Sequence, residues 1–310
     1  MDMGKPSVDW HGSFAVIVTP FTRDGDIDEE AYRQVVDLVL EAGCHGVISA
    51  GSTGEFYLMN NDERKRVFSV AVDQVRGRVP VIAGTSAIRT DDVVDLTRYA
   101  ASAGCAGAMV LPPIYLGMGE NELVEFYTRV SEDCGLPIML YNSPRAMRTL
   151  LTPHLVEQLM DLENVVAIKD SSSDLRQISD FIRFCGHRIR LFVGQEDLLL
   201  PALAVGAVGA VAMVPQVVGR MAVELYESAV AGDMERAREL HYKIVRVSDL
   251  FKVGSQYVAI KESMRLLGKP GGYSRPPMLP FTEEQRARLR KIFEDVGLLT
   301  QKMPTEVMAR

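Results

Sequence analysis

The 310-residue sequence holds four cysteines, Cys44, Cys105, Cys134 and Cys185, and no two share the short Cys-x-x-Cys spacing that brings two thiolates to one zinc. Four buried, reduced thiols are expected. Histidine is equally sparse: His11, His45, His154, His187 and His241 are scattered, without His-x-His or His-Glu-x-x-His spacing, so no metal is expected and each reads as a surface or packing residue. Long apolar runs are also missing. The greasiest stretch, Pro201 to Val214, is interrupted by Gly206 and Gly209 and falls short of the ~20 residues that span a bilayer. The first ten residues contain Asp2 and Asp9 and no apolar segment of secretory length, which predicts a cytoplasmic protein. Basic residues do not dominate either. The formal charge of -7 repels phosphate backbones and anionic headgroups, disfavouring nucleic acid and membrane partners.

What is present is a large apolar fraction, 47% of residues, enough for one large barrel or two ordinary domains. Short Val- and Ile-rich runs recur: AVIVTPF from Ala15, GVISAG from Gly46, PVIAGTS from Pro80, GAMVLPP from Gly107, PIMLYN from Pro137, VVAIKDS from Val165, RLFVGQ from Arg190 and GAVGAVAMVP from Gly206. Each is apolar on both parities, as a parallel strand covered on both faces would be. Helical periodicity fills the gaps at 28–42, 60–76, 90–103, 120–133, 152–162 and 173–185. The starts at Asn60-Asn61-Asp62-Glu63 and Thr90-Asp91-Asp92 offer acceptors and negative charge to unpaired helix NH groups.

Eight strand-then-helix units at this length predict a closed (β/α)8 barrel, the TIM barrel, rather than an open doubly wound sheet, whose first strand usually leads into a Gly-rich phosphate turn. Here it leads into Thr19-Pro20-Phe21-Thr22. Further helical pattern at 221–267 and 282–296 predicts a C-terminal helical extension. The expected division is a barrel over 1–220 and an appendage over 221–310.

Barrel active sites lie at the C-terminal ends of the strands. After the second run, Gly51-Ser52-Thr53-Gly54-Glu55 can form a nest of hydroxyls and backbone NH groups for a carboxylate, or be a Gly-rich turn whose Glu55 caps the next helix. Tyr115 follows the fourth run and Tyr141 ends the fifth, each either a rim residue or a phenol that moves protons. Lys169 directly follows four apolar residues in the sixth. Lysine is rarely buried; desolvation favours the neutral amine, which can attack a carbonyl carbon. The structural alternative is a salt bridge to a neighbouring strand's carboxylate.

Taken together, GSTGE at Gly51, Tyr115 after PP, YNSP at Tyr141, AIKD ending the sixth strand and GQED followed by GAVGAVAM resemble the dihydrodipicolinate synthase and N-acetylneuraminate lyase family, from about Ala15 to Leu267. The resemblance implies a lyase without metal or other cofactor, in which Lys169 forms a Schiff base with pyruvate or a substituted 2-oxo acid. It also implies that Ser52, Thr53 and nearby NH groups hold the carboxylate and that Tyr141 is the acid/base. Tyr115 would reach a neighbouring subunit's site, joining a relay with Tyr141 and Ser52 in a homo-oligomer, a dimer or tetramer. Gly194 and Val211 would shape the pocket through backbone atoms, and Glu196 and Asp197 would bind sugar hydroxyls.

Two departures narrow the expectation. Dihydrodipicolinate synthases usually carry an arginine shortly after YNxP; the gapless match puts Ala146 there, between Arg145 and Arg148. A missing guanidinium argues against an aldehyde substrate bearing its own carboxylate. Asn61, Arg64, Ile88 and Ile114 replace the polar and aromatic set that binds lysine as a feedback effector, so such feedback is not expected. The leading reading is an aldolase or related lyase for a 2-keto-3-deoxy or otherwise substituted 2-oxo acid. The enzyme alternatives are dihydrodipicolinate synthase, a sugar-acid dehydratase and a hydratase-aldolase; the alternative from another class is a 2-oxo-acid-binding barrel without turnover.

Overall fold

The apolar runs form eight short strands, and all eight hydrogen-bond in parallel, in chain order, into one closed barrel. The computed structural model describes residues 6–115, 117–144 and 146–299; Arg145 lies outside them. The strands are β1 (Gly12–Val16), β2 (Gly46–Ser49), β3 (Val81–Gly84), β4 (Gly107–Val110), β5 (Ile138–Asn142), β6 (Val165–Asp170), β7 (Arg190–Val193) and β8 (Gly209–Ala212). Apart from the half-buried Arg190, every strand residue is buried, because one face meets the barrel interior and the other the helices. Inside, Phe14 and Phe192 meet edge to face with centroids 5.3 Å apart. Gly46 makes room for that pair, since a Cβ there would lie 2.1 Å from the Phe14 ring.

β1 differs from its run. The strand begins at Gly12 and ends at Val16, yet Ile17 and Val18 stay fully buried. Their backbone is satisfied by other partners. Ile17 N donates to Ile48 O at 3.2 Å, Val18 N donates to Gln216 Oε1 at 3.0 Å, and Gln216 Nε2 returns a bond to Val16 O at 3.0 Å. A buried amide does what a ninth strand would otherwise do.

The surrounding helices are α1 (Glu29–Glu41), α2 (Asn61–Val75), α3 (Thr90–Ser102), α4 (Glu120–Cys134), α5 (Pro153–Leu159), α6 (Leu175–Cys185), α7 (Leu199–Ala204) and α8 (Pro215–Val218). Asn60 and Glu63 form a full capping box on α2. Thr90 does not cap α3: it is already helical, Arg89 stands at the cap position without a side-chain bond, and Asp91 and Asp92 contribute only charge to the first turn. α6 starts two residues later than its periodicity suggests. Ser173 takes a left-handed φ of 64° and Asp174 caps the helix, accepting from Arg176 N and Gln177 N. α5 stops at Leu159, because the chain must turn through 160–164 to enter β6.

The extension supplies α9 (Arg220–Val230), α10 (Met234–Ser248), α11 (Gln256–Leu266) and α12 (Glu283–Asp295). α9 packs on β1, and α10 packs on α9 and on the 3-10 turn Glu196–Leu198 that follows β7. That contact carries the end of α10 and the start of α11 to the C-terminal rim of the barrel. Cys44, Cys105, Cys134 and Cys185 are free and buried, and burial pushes the thiols of Cys44 and Cys105 up to about 12. Among the described residues, no helix is long and apolar enough to cross a membrane.

Candidate active site

At the C-terminal rim the barrel opens into a cavity of about 650 Å³. Its floor comes from two adjacent strands. Tyr141 of β5 and Lys169 of β6 are paired in register, and the Lys169 ammonium nitrogen stands 4.4 Å from the centre of the Tyr141 ring. Lys169 is 5% exposed, and among the described residues no carboxylate pairs with it. The salt-bridge alternative for this lysine therefore fails, and its amine faces the cavity.

The neighbouring carboxylate is turned away from the lysine. Asp170 is buried, accepts from Asn142 Nδ2 at 2.7 Å and from the Ser172 hydroxyl at 2.5 Å, and its carboxyl is held above the ordinary value by burial against these bonds. Asn142 Oδ1 in turn accepts from Leu151 N at 3.1 Å. Asp170 and Asn142 thus lock the ends of β5 and β6 together one residue beyond Tyr141 and Lys169.

Tyr141 is 7% exposed. Burial raises its phenol, but the nearby Lys169 charge and the hydroxyls of Ser143, Ser171 and Ser52 outweigh it, leaving the phenol below its usual value. Ser143 and Ser171 are not among the residues expected here. They stand two positions beyond Tyr141 and Lys169, and strand parity puts i and i+2 on one face, so the sequence does carry that signal.

Ser52 and Thr53 line the cavity from the turn after β2. Glu55, which ends that turn, caps no helix with its side chain; its φ is 58° and its carboxylate is fully buried. Lys261 of α11 reaches it at 2.5 Å, and the Ser274 hydroxyl donates to it at 3.0 Å. The extension thus grips the turn that presents Ser52 and Thr53.

Gly194 and Glu196, after β7, also line the cavity. A Cβ at Gly194 would lie 1.8 Å from Ser171 Oγ and 3.0 Å from Lys169 Cε, so only glycine lets the lysine lie where it does. Gly194→Ala is expected to destabilise the protein by about 1–3 kcal/mol through overpacking and to displace Lys169. Thermal melts and the rate of covalent trapping of a 2-oxo acid would read the two effects. Glu196 is buried and accepts from Met213 N, and from Val214 N at 2.6 Å, bracing the exits of β7 and β8. Asp197 lies beside it on the wall. Val211 is buried within β8, in register with Phe14, and the wall is instead formed two residues later by Met213. Tyr115 is 73% exposed and lies outside the lining. Ala146 lines the cavity, whereas Arg148 is exposed.

The far wall belongs to the extension: Ser248, Phe251, Lys252, Gln256 and Tyr257. Nothing in the sequence flags these residues, because they follow no strand.

A model of the dihydrodipicolinate synthetase family matches residues 9–296. The chain belongs to that family. It is a lyase of the aldolase type, as the family's members are. Relatives of this family include a 4-hydroxy-tetrahydrodipicolinate synthase of Methanothrix thermoacetophila, 35% identical over 95% of this chain and 99% of the relative. Another, of the same name, from Thermus thermophilus, is 37% identical over 94% and 97%. Among solved family structures, the prophage protein YagE of E. coli K12, crystallised in complex with pyruvate, superposes with a TM-score of 0.91 at 28% identity, covering 94% of this chain and all of that one. The family match spans the barrel and the extension together, through to residue 296.

Proposed function

We propose that this family member is a Schiff-base lyase for pyruvate or a substituted 2-oxo acid of the 2-keto-3-deoxy class. One observation supports the reading above the others: a buried lysine with no carboxylate partner among the described residues lies over a buried tyrosine at the floor of the cavity. In this reading the Lys169 amine attacks the 2-oxo carbon and water leaves, giving an iminium. Breaking the C3–C4 bond sends its electron pair into that iminium as an enamine, while the C4 hydroxyl gives its proton to Tyr141. The lowered phenol suits that base role; the proton returns to C3, which regenerates the iminium, and water hydrolyses that iminium to release pyruvate and the Lys169 amine. Ser52, Thr53 and the turn's NH groups hold the carboxylate, Gly194 and Met213 shape the pocket, and Glu196 and Asp197 face the hydroxylated tail. No step in this scheme calls for a metal or other cofactor.

The reading takes the protein as a cytoplasmic homo-oligomer, with Tyr115 of one subunit reaching a neighbour. Exposure of Tyr115 at 73% and Ile88 at 63% on the single chain supports such an interface.

The second reading is dihydrodipicolinate synthase, favoured by the names of the curated relatives. Against it, the short apolar Ala146 meets the cavity where a guanidinium would take the semialdehyde's carboxylate. The test is incubation of the protein with pyruvate and sodium borohydride, followed by peptide mass spectrometry. A pyruvate-sized adduct on the peptide containing Lys169 is the expected result; a folded protein with no adduct would refute the scheme. Turnover of pyruvate with aspartate semialdehyde in a coupled assay would move the second reading to first.

A further inference from the structure

The resemblance draws the outer phenol of the relay from a neighbouring subunit. This chain has a phenol of its own on the cavity wall. Tyr257 is the second residue of α11 and lines the cavity wall opposite Lys169. Ser52, Tyr141 and Tyr257 line one cavity; the Ser52 hydroxyl draws both phenols down, although burial and the neighbouring Tyr141 keep that of Tyr257 above its usual value. Residues four apart share a helix face, so Tyr257 and Lys261 point the same way. Because Lys261 holds Glu55 at 2.5 Å, that face is fixed against the GSTGE turn, which also carries Ser52. On its outer side the Tyr257 ring lies 5.6 Å from that of Tyr57, which fixes the ring's direction.

We propose that Tyr257 is the outer member of a proton relay that runs Tyr141–Ser52–Tyr257 within one chain. This rests on the iminium reading. Tyr257 touches no reacting atom; it acts through Ser52, as a positioning and relay residue. When Tyr141 gives its proton to C3, Ser52 passes one to it and takes one from Tyr257, and the half-buried Tyr257 phenol regains its proton from solvent, so no charge is left on the serine. A single subunit would then hold the whole proton path, and exchange of the C3 protons of bound pyruvate would not depend on assembly.

The probe is pyruvate alone, in deuterated water, with loss of its methyl proton signal followed by NMR, and with the borohydride adduct measured in parallel. Wild type, Tyr257→Phe and Tyr115→Phe are compared. Phenylalanine keeps the ring and its packing and removes only the hydroxyl. The expected result for Tyr257→Phe is exchange at saturating pyruvate slowed roughly tenfold or more, with half-saturation within about twofold, an unchanged melting temperature and the Lys169 adduct still formed. Tyr115→Phe is expected to slow the exchange less than Tyr257→Phe does. Exchange unaltered in Tyr257→Phe, or a change confined to half-saturation, would overturn the assignment and leave Tyr257 a wall residue. Loss in Tyr115→Phe alone would overturn it in favour of the neighbour's phenol. Wild type that neither exchanges nor traps pyruvate would instead bring down the iminium reading underneath.

Discussion

Lys169→Ala should give a folded barrel that forms no borohydride-stable adduct with pyruvate and has lost turnover by about four orders of magnitude, roughly 5.5 kcal/mol of barrier at 1.36 kcal/mol per factor of ten. The size of the loss follows from geometry. Among the described residues there is no second amine at the cavity floor, and Gly194, Ser171 and the Tyr141 ring fit around this one side chain. Folding should survive because the lysine has no ion pair among the described residues whose loss would leave a buried countercharge, and Asn142 and Asp170 hold the ends of β5 and β6 without it. Melting within a few degrees of wild type, combined with an empty trapping spectrum, is the expected pair of results. A trapped adduct in Lys169→Ala, or one mapped to Lys261 or Lys252 in wild type, would contradict it.

Lys261→Met carries the largest expected effect on stability, a loss of about 3–5 kcal/mol, the usual consequence of removing one member of a buried ion pair. Lys261 is 2% exposed and Glu55 is 0% exposed. The Lys261 ammonium also donates to Tyr273 O at 2.8 Å and lies 4.6 Å from the centre of the Phe21 ring. Burial presses this ammonium down to about 8 even with the carboxylate beside it, so desolvation outweighs attraction and the pair adds little net stability as a pair. What is costly is an uncompensated Glu55. Glu55→Gln combined with Lys261→Met is therefore expected to recover much of the loss in denaturant unfolding, and a double-mutant cycle would measure the coupling. Equal destabilisation in the double and single variants would show that packing, not charge, is at issue. Activity should fall along with stability in Lys261→Met, because Glu55 keeps a left-handed φ of 58° in the turn that presents Ser52 and Thr53.

The barrel was legible because its strands are short, apolar on both parities and separated by helical periods, a pattern created by local chemistry. Lys169 stood out for the complementary reason: a charged residue closing an apolar strand breaks the very pattern that defines it. Residues brought in by distant segments left no such mark. Ser274 and Glu55 are 219 positions apart, and neither a Glu at the end of a Gly-rich turn nor a Lys in a late helix announces its partner. Tyr257 was hidden in the same way, being one of ten tyrosines in the chain and on a helix with no strand before it. Thr90 shows a smaller failure. A hydroxyl beside two aspartates fits a cap or a first turn equally well, and the backbone chose the turn.

The clasp between α11 and the GSTGE turn also orders events in time. A chain made from its N-terminus presents Lys169 and Tyr141 while residues 248–261 are still unmade, so an early barrel has its amine on an open floor, without the far wall and without the grip on Glu55. Only when the last helices dock does the pocket close. A nascent or clipped chain therefore holds Lys169 and Tyr141 but not their enclosure, so under the proposed scheme turnover waits for the last helices.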